Sequence, residues 1–279
     1  MPSIPKRVEE RLVATIKRFQ PILTSAKARD IGEADTVTIV KDMLAEIYGY
    51  DKYTDVTSEF AIRGTYCDLA TKIDGKLQKL IEVKAIGTEL KDPHVKQAVD
   101  YAANQGVEWV ILTNAVSWRI YRVIFGKPID NELVLEYDFL SLNPKTEQHL
   151  EWIFLTCKEG WIKSVLGEYH EQKQALSRFC IGALLLTDTI VDTIRRELRR
   201  LSPDARPTSD EIRTVLASEV VKRDVLEGEK ADEARRRISR HAAKVLRAKN
   251  ASAETLGTAA AVPEVAAPVP SDTGTVENG

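Results

Sequence analysis

Two strand-length runs flank Asp74-Gly75, and no other stretch limits the possible folds as tightly: Tyr66 to Ile73 leads in, and Leu77 to Ile86 leads back. An Asp-Gly pair between two such runs predicts a β-hairpin. On the return strand Leu80, Ile81, Val83, Ala85 and Ile86 are apolar, so the strand is expected to be central and covered on both faces. Within it stand Glu82 and Lys84. Alternate strand residues share a face, which sets the two charges side by side, roughly 7 Å apart. Charges on a covered strand are costly unless a metal, a partner charge or a ligand compensates them.

Asp68 on the first strand is the natural partner. A strict two-residue loop would pair Asp68 with Ile81 and leave Asp68 and Glu82 on opposite faces. An odd-length loop such as Ile73-Asp74-Gly75, or a bulge, brings both carboxylates to one point. Two carboxylates converging near a lysine suit magnesium and a phosphate, because magnesium takes one or two carboxylates and fills its other positions with water and phosphate oxygens. Lys84 would then orient a water or stabilise charge developing on phosphorus. The plainer alternative is a Glu82–Lys84 ion pair on a half-exposed strand.

The surrounding residues extend the pattern. Gly32-Glu33-Ala34-Asp35-Thr36 precedes Leu44 and Ile47-Tyr48-Gly49-Tyr50; Glu59, Gly64 and Asp68 precede Ile81-Glu82-Val83-Lys84-Ala85; Gln97 and Tyr101 follow, then Leu112-Thr113-Asn114 and Trp118-Arg119-Ile120-Tyr121. In order and spacing this resembles the PD-(D/E)xK nuclease superfamily, and within it the N-terminal nuclease domain of type I restriction endonuclease subunits, over roughly Ile31 to Val123. The resemblance implies Asp68 and Glu82 as metal ligands, Lys84 as the catalytic lysine, Glu33 as an accessory acid, and Gln97 and Tyr101 as substrate-binding residues. It implies Mg2+ as cofactor, with Mn2+ able to substitute, and DNA as substrate. Cys67 stands where the superfamily has its proline. No Gly-x-x-x-x-Gly-Lys-Ser/Thr motif is present, so no ATP-driven translocation is expected of this chain.

Read on position alone, Glu33 is an acid favoured by the dipole at a helix start. Gln97 and Tyr101, four apart on a helix opened by Pro93, either meet a phosphate or base, or pack and cap. Val8, Leu12, Ile16, Phe19 and Leu23 make an apolar helical stripe in the first segment, and a second helix over Ala34 to Ile47 presents Val37, Val40, Leu44 and Ile47. Trp109–Thr113 and Trp118–Val123 read as strands, with Leu133–Tyr137 as an added edge. After Lys145 the pattern is helical: Leu150–Cys157, Trp161–Leu201, and Thr208 to about Lys249, opened by the capping box Thr208-Ser209-Asp210-Glu211. Phe179–Leu186 is the most apolar stretch but is too short for a membrane span. It is expected to be a buried helix or an oligomer seam.

The expected fold class is α/β: a restriction-endonuclease-like core, with a mixed central sheet flanked by helices, followed by an all-helical C-terminal region. The expected divisions are an N-terminal helix over 1–30, the core over 31–142, helices over 143–250 and a disordered tail over 251–279. A net charge of -2 gives no global basic signature, so a nucleic-acid surface must be local. The late arginines, Arg195 to Arg200 and Arg235 onward, are candidates for it, though acids interleave with many of them. Three cysteines without Cys-x-x-Cys spacing indicate reduced thiols and a cytoplasmic setting. The function expected is a magnesium-dependent DNA endonuclease of restriction or defence type, acting as a homodimer through its C-terminal helices or with a protein partner that supplies specificity. The alternative is a catalytically silent nuclease-fold module that binds DNA or regulates a defence or repair assembly.

Overall fold

A computed structural model describes residues 3–62 and 65–258. The chain begins with two helices, α1 (Lys6–Ala28) and α2 (Glu33–Glu46), followed by three antiparallel strands, β1 (Val56–Ile62), β2 (Thr65–Ile73) and β3 (Lys76–Val83). Helix α3 (Asp92–Gln105) crosses to β4 (Trp109–Thr113), which lies parallel to β3; β5 (Ser117–Ile124) and β6 (Asp130–Asp138) then return antiparallel. The six strands form one mixed sheet in sequence order, with β3 and β4 at its centre and β6 at an edge. The described elements that follow, after a short 3-10 turn at Phe139–Ser141, are helical: α4 (Glu147–Phe154), α5 (Lys158–Ile162), α6 (Val165–Ala175), α7 (Arg178–Leu185), α8 (Asp188–Leu201), α9 (Ser209–Val215), a π turn at Leu216–Val220, α10 (Arg223–Leu226) and α11 (Glu229–Thr258).

Each face of the sheet has its own apolar layer. Ile81 and Val83 of β3 point into a core built with the α1 stripe Val8, Leu12, Ile16, Phe19 and Leu23, and with Val40, Met43 and Leu44 of α2. Leu80 and Leu112 point the other way, against Val95, Ala98, Val99 and Ala102 of α3. The turn of α2 toward the core differs slightly from the sequence expectation: Met43 is fully buried and Val37 only partly. Leu150, Ile153, Phe154, Val165 and Leu166 join the first layer, so α4, α5 and the start of α6 complete the sheet domain. The compact units are accordingly Met1–Gln172 and Lys173–Gly279, where the sequence suggested divisions near residues 30 and 142.

Two other expectations are corrected. The helix expected over Trp161–Leu201 is four helices, interrupted by Ser164 at φ 57 and restarted at Ser177, whose hydroxyl accepts from the Cys180 N–H, and at Thr187. Local side-chain bonding of this kind competes with continued helix. The stretch after Thr208 likewise breaks at the π turn and at Gly228, φ 93. Helix α11 extends as far as Thr258, and residues 259–279, most of the tail expected to be disordered, lie outside the described residues.

Candidate active site

The hairpin determines whether the acidic residues meet. Its loop has two residues, Asp74 at φ 50 and Gly75 at φ 75, the two left-handed positions of a tight hairpin turn, and Ile73 pairs with Lys76. The odd residue comes from a bulge instead. Lys72 pairs with Leu77 but Thr71 pairs with Lys79, so Gln78 is extra and every later pairing moves by one. Leu69 then faces Ile81, and continuing that register sets Asp68 against Glu82. The bulged residue is held by the Trp161 indole, whose Nε1 donates to the Gln78 Oε1 at 3.0 Å.

Around that pairing the four expected residues divide into three close ones and one flanking one. Lys84 Nζ donates to Glu82 Oε1 at 2.7 Å and stands 3.8 Å from Glu33 Oε2 at the start of α2. Asp68 Oδ2 accepts the Val83 N–H at 2.7 Å, which fastens the carboxylate to the end of β3. The Lys84 N–H donates to Thr113 O at 2.8 Å, prolonging the β3–β4 ladder past the strand end. The Glu82 side chain is 3% exposed, Lys84 16% and Glu33 50%, so the depth of the site increases from Glu33 inward. Glu82 Oε2 is buried without a hydrogen-bond partner.

Electrostatics follow from this burial. Desolvation pushes the Glu82 carboxyl above its ordinary range; the bond from Lys84 opposes it, and the charge of Asp68 adds to it. Asp68 is also pushed up, first by desolvation, with the Val83 N–H and Lys84 pulling it part-way back. Burial works against the Lys84 ammonium, but the Glu82 bond and the charges of Glu82, Glu33 and Asp68 outweigh it and hold the amine above its ordinary value. The arrangement is two desolvated carboxylates clamped beside one cation that stays charged.

Gln97 and Tyr101 lie on α3 and bond to each other. Gln97 Nε2 donates to the Tyr101 hydroxyl at 3.0 Å, and the Tyr101 ring packs partly against the layer under α3. Tyr101 is partly buried and Gln97 exposed.

Other residues support the site without having been singled out. Asn114 is nearly buried, accepts from the Val116 and Ser117 N–H groups, and donates from Nδ2 to Thr88 O at 2.9 Å, bracing the segment after Lys84 against the β4–β5 turn. Arg119 Nη1 holds Leu90 O of the same segment at 2.8 Å. At Gly87 an added Cβ would lie 2.1 Å from Asp30 Oδ1, so a larger residue there would require the Asp30 side chain to move. Lys79, on the opposite face of β3 from Glu82, is fully buried; its Nζ bonds the Tyr50 hydroxyl at 2.6 Å and Thr156 O at 3.1 Å and lies 4.2 Å from the Trp161 ring centroid. The only sequence signal for it was a lysine within a run that is otherwise core.

Among the described residues no group of three or more histidine, cysteine, aspartate and glutamate side chains is gathered as a metal centre. A two-carboxylate magnesium site does not need one, and the unpartnered Glu82 oxygen is the donor such an ion would take. No described helix is long and apolar enough to cross a membrane. Comparison with family models, with curated proteins and with solved structures gives no match to this chain.

Proposed function

We propose that the protein is a magnesium-dependent DNA endonuclease with a restriction-endonuclease-like core, in which Asp68 and Glu82 hold the ion and Lys84 serves the reacting phosphate. The observation that carries this reading is the buried Glu82 oxygen left without a partner, on a carboxylate that a bulge has brought opposite Asp68. A buried acceptor left unsatisfied costs ~1–3 kcal/mol, more when charged, and a bound cation removes that cost. Magnesium in this position supplies a polarised phosphate and a water of lowered pKa. Asp68, anchored on the Val83 N–H, gives the ion a rigid ligand. Lys84, kept protonated by three acids, faces the charge that develops on the phosphate oxygens. Glu33, half exposed, lies on the solvent side of Lys84 and tunes how firmly the lysine is held.

The second reading, a silent nuclease-fold module that binds DNA, draws on a different observation: Lys84 is already paired to Glu82 and Asp68 already accepts from the backbone. The two are separated by incubating the purified protein with supercoiled, linear and single-stranded DNA in magnesium, manganese or chelator. Metal-dependent nicking or cutting is expected from the parent, and none from Asp68→Ala or Lys84→Ala, both of which should keep the parent's circular dichroism spectrum. If both variants cleave like the parent, the site assignment is wrong; if the parent never cleaves, the silent module stands.

A further inference from the structure

Charge in the second unit is distributed in two contrasting ways. From α8 to the opening of α11, arginines lie beside acids one helical turn away: Arg195 with Asp192, Arg200 with Glu197, Arg213 with Asp210, Arg223 with Glu227 and Arg235 with Asp232. Such pairs make a solvated, self-neutralised surface. Beyond Arg235 the pattern stops. Every charged residue from Arg236 through Lys249 is cationic, and the next acid is Glu254.

The helix sorts these cations geometrically. Ala231 and Ala234 are buried, Ile238 is half-buried, and α11 packs on α7. At 3.6 residues per turn, Arg236, Arg240, Lys244 and Arg247 fall on the opposite side, in one line about 16 Å long. Arg236 and Arg240 are exposed, and among the described residues neither has an acidic partner. Like charges at four-residue spacing destabilise a helix. The repulsion between Arg236 and Arg240 therefore works against the helix that carries them, and a polyanion lying along it would remove that cost.

We propose that the Arg236–Arg240–Lys244–Arg247 row of α11 is a phosphate-tracking surface for duplex DNA, separate in the chain from the residues around Glu82. It has the features of backbone contact and none of base reading: a straight line of cations and no interleaved aromatic residue. The proposal deepens the nuclease reading by naming what holds the substrate, and rests on DNA being that substrate.

The test is binding in chelator, where cleavage plays no part. A short labelled duplex is titrated with the full-length chain at several salt concentrations, and fluorescence anisotropy gives the affinity and its salt slope. Replacing the four cations with glutamine, a good helix former, should lower affinity more than tenfold and reduce the slope of log K against log salt by about 3–4. The four-lysine version at the same positions should restore both. Neutralising the paired Arg200 and Arg213 instead should change little. A parent that does not bind DNA, a glutamine variant that binds like the parent, or an equal loss in the Arg200/Arg213 control overturns the proposal. So does competition by polyglutamate as effective as competition by unlabelled duplex, which would assign the row to an acidic protein. A protein that binds through this row yet never cleaves sinks the nuclease reading and leaves the row standing.

Discussion

Glu82 and Asp68 ionise less readily in the folded chain than in the unfolded one, because burial pushes both carboxyls up. For an acid with a raised folded pKa, the charged form costs stability at neutral pH, and the cost disappears as pH falls through the folded pKa to below the unfolded value. Asp68→Asn keeps an acceptor for the Val83 N–H and removes the charge. In chelator it should therefore melt above the parent at neutral pH, with the gain vanishing in acid; an unchanged or lower melting temperature at neutral pH counts against a convergent acidic pair. Lys79 gives the opposite slope. Burial lowers it from 10.5 to about 7, so the folded chain bears its cost fully below that value and loses the cost as pH rises toward 10.5. Lys79→Met should stabilise the protein at pH 7 and progressively less toward pH 10, since the Tyr50 hydroxyl already donates to Thr156 O at 3.1 Å and neither group is orphaned. Thermal melts across that range would refute the claim by showing a flat difference. The acidic set was legible in the sequence because charge is anomalous on an apolar strand. Lys79 was not, because a lysine near a hairpin turn is ordinarily exposed, and only the shift at Gln78 turns it inward.

At the scale of elements, strands and the crossover helix were legible and the helical breaks were not. Periodicity and the Asp-Gly turn locate β2 to β5 to within a few residues because each has a fixed neighbour in the sheet. In the second unit the apolar period continues through Ser177 and Thr187, and hydrophobicity gives no reason to stop there; the stops come from hydroxyl side chains and a few special backbone angles. Packing in this unit is close in one place. A Cβ at Gly182 of α7 would lie 2.6 Å from Val225 Cγ1 of α10. Gly182→Val should cost about 1–3 kcal/mol through overpacking, read as a lower midpoint in urea, and Gly167→Val, where an added Cβ has open space, should not show that packing cost.

For the whole molecule, the cores identify what can stand alone. The two layers on the sheet draw only on residues before Gln172, and the small cluster of Val191, Ile212 and Leu216 draws only on the second unit. A fragment ending at Gln172 should unfold cooperatively, whereas one ending at Leu142 loses Leu150, Ile153, Phe154 and Leu166 and should not. Urea melts of the two fragments check this directly. Apolar side chains also remain uncovered on the second unit: Ile181 and Leu184 are 44% and 41% exposed, beside Leu198 and Leu201 farther along. The expected homodimer seam would draw on side chains of this kind. Light scattering should find a dimer that Ile181→Asp with Leu184→Asp converts to a monomer, and a parent that is monomeric at micromolar concentration ends that expectation.

The bulge at Gln78 makes the acidic pairing depend on a count of residues as well as on their identity. Substitutions between Lys72 and Lys79 leave the count unchanged, so the hairpin can absorb many of them. Thirteen residues separate Asp68 from Glu82, an odd number that a two-residue turn alone cannot bring into register, and the bulge absorbs the one left over. Deleting Gln78 should therefore close the ladder into a regular hairpin in which Asp68 still faces Glu82. Adding a residue between Gln78 and Lys79 should instead set Asp68 against Ile81 and carry Glu82 and Lys84 to the other face. The site would thus behave like a sentence with one spare letter, which survives a loss at that place and is scrambled by a gain.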